Sequence, residues 1–314
     1  MADQVTVAIP VRNGGPLLGE TLAAVRAQRL ERPVELVVAD SASTDGSDEL
    51  ARRHGARVIA VAPGEFSHGG TRNLLVEQSR GDHIAFITQD AVPAHERWLA
   101  ELLAGFDAAD DVGLVFGPYL PRPGASVMVR RELNEWFAGL APDGRPRVER
   151  GAPRAGEPYL RRLFFTDANG CLARRAWERV PFRPVAYAED QLLAHDMLAA
   201  GYAKVYRPEA AVIHSHDYPP IEQLRRSFDE WRGLREVHAV AAPAGPLRVA
   251  LTVQRHVRDD MTLARRESER GALLRTAAGS LVHHLMRALG AALGARAERL
   301  PPRLRGALSL EGRA

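Results

Sequence analysis

The sequence predicts an α/β fold with a mostly parallel central sheet, followed by a helical C-terminal extension. Three observations carry that expectation. Short apolar runs alternate with amphipathic stretches over the first ninety or so residues, the pattern of βαβ units. Two of those runs end abruptly in a carboxylate, at Asp40 and Asp90. Beyond Pro246 the apolar spacing changes to three and four residues and arginine becomes dense.

The run Val5-Thr6-Val7-Ala8-Ile9-Pro10 reads as a strand closed by proline, followed by the loop Val11-Arg12-Asn13-Gly14-Gly15. Residues 17–28 place Leu18, Leu22 and Val25 on one helical face. Residues 34–40 form a second buried strand, and the polar turn Ser41-Ala42-Ser43-Thr44-Asp45-Gly46-Ser47 can cap a helix starting near Asp48. A short strand is expected at 57–61, a helix at 73–79 and a buried strand at 84–87, bounded by Gly81 and Pro93. At its end stand Thr88, Gln89 and Asp90. In an open α/β sheet the carboxyl ends of the strands are where ligands bind, so a carboxylate there suits a divalent cation and, through it, a diphosphate. The plainer reading makes Asp90 the cap of a helix beginning near Pro93.

Composition narrows the classes. The 314 residues are 46% hydrophobic and 26% charged, with no apolar run long enough to cross a bilayer. No basic leader opens the chain, so a cytoplasmic protein is expected. Cys171 is the only cysteine, which excludes an intrachain disulfide. Residues 246–314 hold 13 arginines against six acids, so the net charge of +3 divides into +7 there and −4 in residues 1–245. Neither G-x-G-x-x-G after the first strand nor G-x-x-x-x-G-K-[ST] is present, which argues against a dinucleotide dehydrogenase or a P-loop NTPase.

The opening run through Asn13, the stretch Val37-Val38-Ala39-Asp40-Ser41-Ala42-Ser43-Thr44-Asp45-Gly46-Ser47, the loop Phe66-Ser67-His68-Gly69-Gly70-Thr71-Arg72-Asn73, the element Thr88-Gln89-Asp90-Ala91, the pair Glu189-Asp190 and the triplet His214-Ser215-His216 follow one another in order. Together they resemble a family 2 glycosyltransferase with the GT-A (nucleotide-diphospho-sugar transferase) fold, over about residues 4–240. The His-Gly-Gly-Thr-Arg-Asn and Gln-Asp-Ala segments are similar to the bacterial rhamnosyltransferase branch.

The resemblance implies a glycosyltransferase domain over 1–245, its nucleotide-binding half about 1–120 and its acceptor half about 121–245, with 246–314 as a basic helical extension. It implies an inverting, metal-dependent transfer from a dTDP- or UDP-linked sugar, rhamnose among the candidates, to a glycan, lipid-linked or small-molecule acceptor. Pro10, Arg12, Asp40, Gly70, Arg72, Gln89 and Asp90 would bind the nucleotide sugar, with Asp40 accepting from the base. Asp90 and His216 would hold Mg²⁺ or Mn²⁺. Asp167, Asn169 and Glu189 would line the sugar or acceptor cleft, and Asp190 would be the catalytic base. The sequence departs from the family's Asp-x-Asp at Thr88, so one ribose contact is altered and metal binding rests on Asp90.

Each residue also has a plainer role open to it. Arg12 has the alternative of a solvated arginine and Arg72 that of a surface arginine on a tight turn, Glu189 and Asp190 read as caps of a helix at 191–200, and Trp177 as a core residue. His214 reads as a structural histidine ending a strand at 204–213, and His214-x-His216 as half of a zinc site. Residues 122–158, rich in Pro, Gly and Arg, suit a mobile acceptor loop or a surface insertion. The stripe Leu281, Val282, Leu285, Met286, Leu289 and Leu293 suits packing on the protein, a second copy or an anionic membrane; nucleic acid is not expected, for want of any recognised module. Loss of the first acid also leaves room for a non-catalytic nucleotide-sugar binder.

Overall fold

The computed structural model describes residues 4–152, 161–240, 245–267 and 273–310. The chain forms two compact units. The first comprises residues 1–122, 136–185 and 189–214, the second residues 123–135, 186–188 and 215–314.

The strands are β1 (Val5–Val11), β2 (Val34–Asp40), β3 (Arg57–Ala60), β4 (His83–Ile87), β5 (Val92–Pro93), β6 (Val112–Phe116), β7 (Tyr119–Leu120), β8 (Arg147–Glu149), β9 (Asn169–Ala173), β10 (Ala203–Tyr206) and β11 (Val212–Ile213). Eight of them make one sheet in the order β3-β2-β1-β4-β9-β6-β10-β8. Six run in one direction, while β9 and β8 oppose them. β5, β11 and β7 form a separate three-stranded sheet. Apolar side chains of β1, β2, β4 and β6 are buried with Leu18, Leu22, Trp98 and Leu102, which is why the strands read as continuous apolar runs.

In the first unit the helices are α1 (Gly15–Arg26), α2 (Ser47–Arg53), α3 (His68–Gln78) and α4 (Trp98–Ala104); α5 (Val127–Ala138) is divided between the units, and α6 (Arg174–Trp177) and α7 (Glu189–Ala199) return to the first. α1 starts two residues earlier than its apolar spacing suggests, because Pro16 suits the first helical turn. α3 begins five residues before the expected start: Ser67 caps it, its hydroxyl accepting from Gly70 N–H at 3.1 Å, and the paired glycines hide that turn from a propensity reading. The Arg174 guanidinium donates to the carbonyls of Val76, Ser79 and Gly81 at 2.8–3.0 Å and so satisfies the end of α3.

Two sequence expectations change. The run 204–213 is two strands in different sheets, β10 and β11, rather than one. Part of the 122–158 segment is helical, as α5, and residues 153–158 of that segment lie outside the described residues.

Lys204, the only lysine, is fully buried on β10, donating to the Phe164 carbonyl at 2.8 Å with its Nζ 4.7 Å from the centre of the Phe116 ring. Burial pushes its ammonium down to about 7, against Glu149, which pulls it upward. In the second unit the main helices are α8 (Pro220–His238), α9 (Pro246–Arg266), α10 (Leu273–Gly294) and α11 (Pro302–Leu308). Gly290 and Gly294 lie against the backbone of α8, where a β-carbon would meet the Leu224 and Phe228 carbonyls at 2.3 Å. No helix among the described residues is long and apolar enough to cross a membrane.

Candidate active site

Three loops meet at the carboxyl ends of β1, β2 and β4. The loop after β1 turns through Asn13 (φ 48°) and Gly15 (φ 56°), and the turn after β2 holds it. Asn13, Gly14 and Gly15 donate their backbone N–H groups to Ser43 Oγ, Ser47 Oγ and Asp45 Oδ2 at 2.9, 2.9 and 3.0 Å. Thr44 N–H returns to Asn13 Oδ1 at 2.8 Å. Asp45 therefore does more than start α2: it ties two strand-end loops together, and the Ser47 hydroxyl beside it holds its carboxyl below the usual range.

Gln89, beyond β4, belongs to the same scaffold. Its Oε1 accepts from Arg12 N–H at 2.8 Å and its Nε2 donates to Arg12 O at 3.3 Å. Its amide is thus engaged with the Arg12 backbone, which makes it a positioning residue for that loop. Pro10 stands half-buried near the end of β1, paired in register with Ala39, and the Arg12 side chain is exposed.

Asp40, the last residue of β2, is 8% exposed. Its Oδ2 accepts from Ser43 N–H at 3.1 Å, while Oδ1 is buried with no hydrogen-bond partner. A buried acceptor without a donor is costly, and a ligand N–H would relieve it.

Asp90 caps no helix. Residues 92–93 form β5 and the next helix, α4, begins at Trp98. The carboxylate of Asp90 is half-buried, with Oδ2 3.6 Å from His214 Nδ1, while its carbonyl accepts from the Arg122 guanidinium. That separation exceeds a hydrogen bond, and a carboxylate beside an imidazole is a donor set that suits Mn²⁺ or, with waters and phosphate oxygens, Mg²⁺. His214 lies just past β11, which pairs with β5 only a few residues from Asp90; as a presumed strand end it gave no sign of this in the sequence. His216 is exposed and belongs to the second unit.

A second constellation joins α3, the segment before β9 and the start of α7. Arg72 is 4% exposed, so it is no surface arginine. Its guanidinium donates to Asp167 Oδ1 at 2.7 Å and lies 3.1 Å from Glu189 Oε1. The fork expected to meet the donor is therefore occupied by carboxylates, and Asp167, expected to meet a sugar, is its main partner. His68 Nδ1 lies 3.8 Å from Glu189 Oε1. Gly70 owes its identity to the cap, since a β-carbon there would sit 2.4 Å from Ser67 Oγ.

Burial, reinforced by the carboxylates of Asp167 and Glu189, pushes Asp190 well above the usual carboxylate range; Arg72 and the Gln191 N–H oppose the shift. Asp167 is likewise raised by burial, against Arg72. Three carboxyls crowd one arginine here, so ionising all of them is costly.

Asn169 requires a correction. It is fully buried at the start of β9, its Oδ1 accepting from Trp98 Nε1 at 2.8 Å and its Nδ2 donating to Pro118 O and Ala210 O at 3.1 and 2.8 Å. Both amide protons are used and no face meets solvent, so it fastens α4 to the sheet instead of holding a sugar. Trp177 Nε1 donates to Asn73 Oδ1 at 2.8 Å, a packing role as its plainer reading had it.

With this geometry in place, the comparison with known proteins is decisive. The model of glycosyl transferase family 2 matches residues 6–169. The chain belongs to this family. It is a glycosyltransferase similar to the O-antigen chain rhamnosyltransferases WbaN of Salmonella anatum (29% identical, covering 71% of this chain and 70% of the relative) and RfbN of Salmonella typhimurium (30%, 72% and 71%). Among solved structures, a mannosyltransferase from Pyrobaculum calidifontis in complex with GDP-Man and Mn²⁺ shares the fold at TM-score 0.59 and 18% identity, over 92% of this chain and 86% of that one. Glucosyl-3-phosphoglycerate synthase from Mycobacterium tuberculosis in complex with UDP does so at 0.51 and 20%, over 77% and 82%. The GT-A fold expected from the sequence is the fold the family 2 chain adopts.

Proposed function

We propose that this family 2 enzyme is an inverting, metal-dependent rhamnosyltransferase drawing on a dTDP-linked donor. The observation that carries the reading is Asp190, a carboxyl raised by burial and by neighbouring acids at the start of α7. A general base needs a proton affinity close to the working pH, and an acceptor hydroxyl must lose its proton as it attacks the anomeric carbon. One in-line displacement, with Asp190 taking that proton, inverts the configuration.

On this reading Asp40 Oδ1 accepts from the pyrimidine N–H, and Pro10, Gly70 and the Arg12 loop set by Gln89 line the nucleotide. Asp90 and His214 would hold Mn²⁺ or Mg²⁺, which would supply charge neutralisation at the leaving diphosphate. Arg72 acts through its carboxylates, fixing Asp167 and Glu189 beside the base; Glu189 and Asp167 meet the acceptor or sugar. Residues 1–245 are the catalytic domain, with 246–314 a helical extension. The acceptor is a growing glycan, lipid-linked or free, on the cytoplasmic side. The exposed leucines of α9 and α10 among arginines favour peripheral contact with an anionic membrane or a second copy. A UDP-hexose donor with the same chemistry is the second reading, because Asp40 would accept equally from uracil or thymine.

The test is a panel of UDP, dTDP, GDP and CDP with and without Mn²⁺, read by thermal shift, followed by transfer and donor hydrolysis for wild type and Asp190→Asn. A metal-dependent shift with dTDP, and turnover at least about 100-fold lower in Asp190→Asn at unchanged nucleotide affinity, are expected. A shift with UDP alone moves the donor to the second reading. Nucleotide binding without any turnover in the wild type makes the chain a binder.

A further inference from the structure

The second unit contains a group of metal-ligating side chains that lies outside the catalytic chemistry. Glu132 on α5 meets two consecutive residues of α10, His283 and His284. His283 Nε2 is 3.5 Å from Glu132 Oε2, and His284 Nδ1 is 3.6 Å from Glu132 Oε1. Both distances exceed those of a well-formed hydrogen bond. They are close to the spacing of neighbouring ligand atoms about 2.0–2.1 Å from one tetrahedral zinc ion, which lie about 3.4 Å apart. One donor atom from each of the three residues lies within 4.8 Å of the others. His283 Nε2 is buried and has no hydrogen-bond partner.

The surroundings of His284 set its tautomer. Its Nε2 lies 2.8 Å from Asp260 Oδ2, and because a carboxylate only accepts, Nε2 carries the proton. The other ring nitrogen, Nδ1, faces Glu132 Oε1 at 3.6 Å. A histidine that donates one nitrogen to a carboxylate and turns the other to a metal is the usual arrangement around zinc. Asp260 is fully buried and fixed by Ser280 Oγ at 2.6 Å and by the Arg131 guanidinium, so the ring cannot drift.

We propose that Glu132, His283 and His284 form a zinc site in the second unit, completed by a water, which clamps α5 to α10. Arg287, whose guanidinium now contacts Glu132, is the competitor. Its side chain is 36% exposed and can swing into solvent as the ion enters. The clamp joins residues about 150 apart in the chain, so zinc stabilises the unit by binding the folded state alone.

The experiment is titration of chelator-treated full-length protein with Zn²⁺, followed by calorimetry and melting temperature, and with Co²⁺, followed by its visible spectrum. Asp90→Asn disables the other candidate metal site and is expected still to bind one Zn²⁺ per chain, with the intense visible bands of tetrahedral Co²⁺. Added to Asp90→Asn, His283→Ala is expected to lower zinc affinity by at least about tenfold and to remove those bands and the zinc-induced rise in melting temperature. Arg287→Gln binds more tightly. Should His283→Ala fail to fold, Glu132→Gln gives the same reading. Zinc binding that is undiminished when His283→Ala or Glu132→Gln is added to Asp90→Asn, that disappears in Asp90→Asn alone, or that is missing from the wild type overturns the proposal.

Discussion

A buried lysine makes stability depend on pH in a direction set by its own titration. Below about pH 7 Lys204 carries its proton in the folded and unfolded chain alike; above it only the unfolded chain keeps the proton, up to the ordinary lysine value. Stability therefore gains from Lys204 as pH rises from 7 to 9, with a slope of at most about 1.4 kcal/mol per pH unit. Urea unfolding at pH 7, 8 and 9 is expected to show that gain in the wild type and a flatter profile in Lys204→Met. Asp190 titrates in a way that affects rate. Its raised carboxyl must be ionised to act, so the acid limb of kcat against pH should lie above the ordinary carboxylate range, and Arg72→Gln, which removes the one cation opposing the shift, should move it further toward alkaline pH. A limb near pH 4, or one that Arg72→Gln leaves in place, would remove Asp190 from the role of base. The ends of β2 and α7 that carry Asp40 and Asp190 were legible in apolar spacing, whereas the roles expected of those two residues came from the family resemblance. It could not show that Arg72 points inward, since a guanidinium's partners, Asp167 and Glu189, come from positions 95 and 117 residues away.

Single elements are secured by a few polar groups whose removal should be measurable. Ser67→Ala deletes the cap of α3 and is expected to cost about 1 kcal/mol in urea denaturation. Asn169→Leu should cost about 3 kcal/mol or more, because it orphans Trp98 Nε1–H and the carbonyls of Pro118 and Ala210 together; a loss below 1 kcal/mol would return Asn169 to the list of sugar ligands. These two residues mark where the sequence misled. Glycines disguised the first turn of α3, and the asparagine before Gly170 looked like a ligand because nothing local reveals that Trp98, 71 residues upstream, needs an acceptor. Strands β1, β2 and β4 were legible almost to the residue because most of their residues are buried, whereas β3 is an edge strand of half-buried and exposed residues. β10 and β11 were fused in the reading although Arg207-Pro208-Glu209 between them carries two charges and a proline, which cannot donate to a sheet ladder.

At the scale of the whole molecule, the two compact units should respond separately to ligand. dTDP with Mn²⁺ is expected to slow amide hydrogen exchange in peptides covering 5–15, 34–47 and 83–93, and to leave those from α8, α9 and α10 unchanged. Equal slowing throughout would show that the nucleotide acts on the whole chain. Composition foretold a basic helical tail, and α9 and α10 are there. Its buried polar network of Arg131, Asp260 and His284 was not legible, since amphipathic spacing marks only the apolar face.

One lysine and one cysteine, Lys204 and Cys171, supply all the side-chain amine and thiol of this chain, and both lie fully buried in the first unit. Reagents directed at either group have no side-chain target while the sheet is closed. Pulses of an amine or thiol reagent therefore record openings of two known places, β10 and β9, without introducing a single reporter residue. The wild-type enzyme carries its own clock for the breathing of its catalytic sheet.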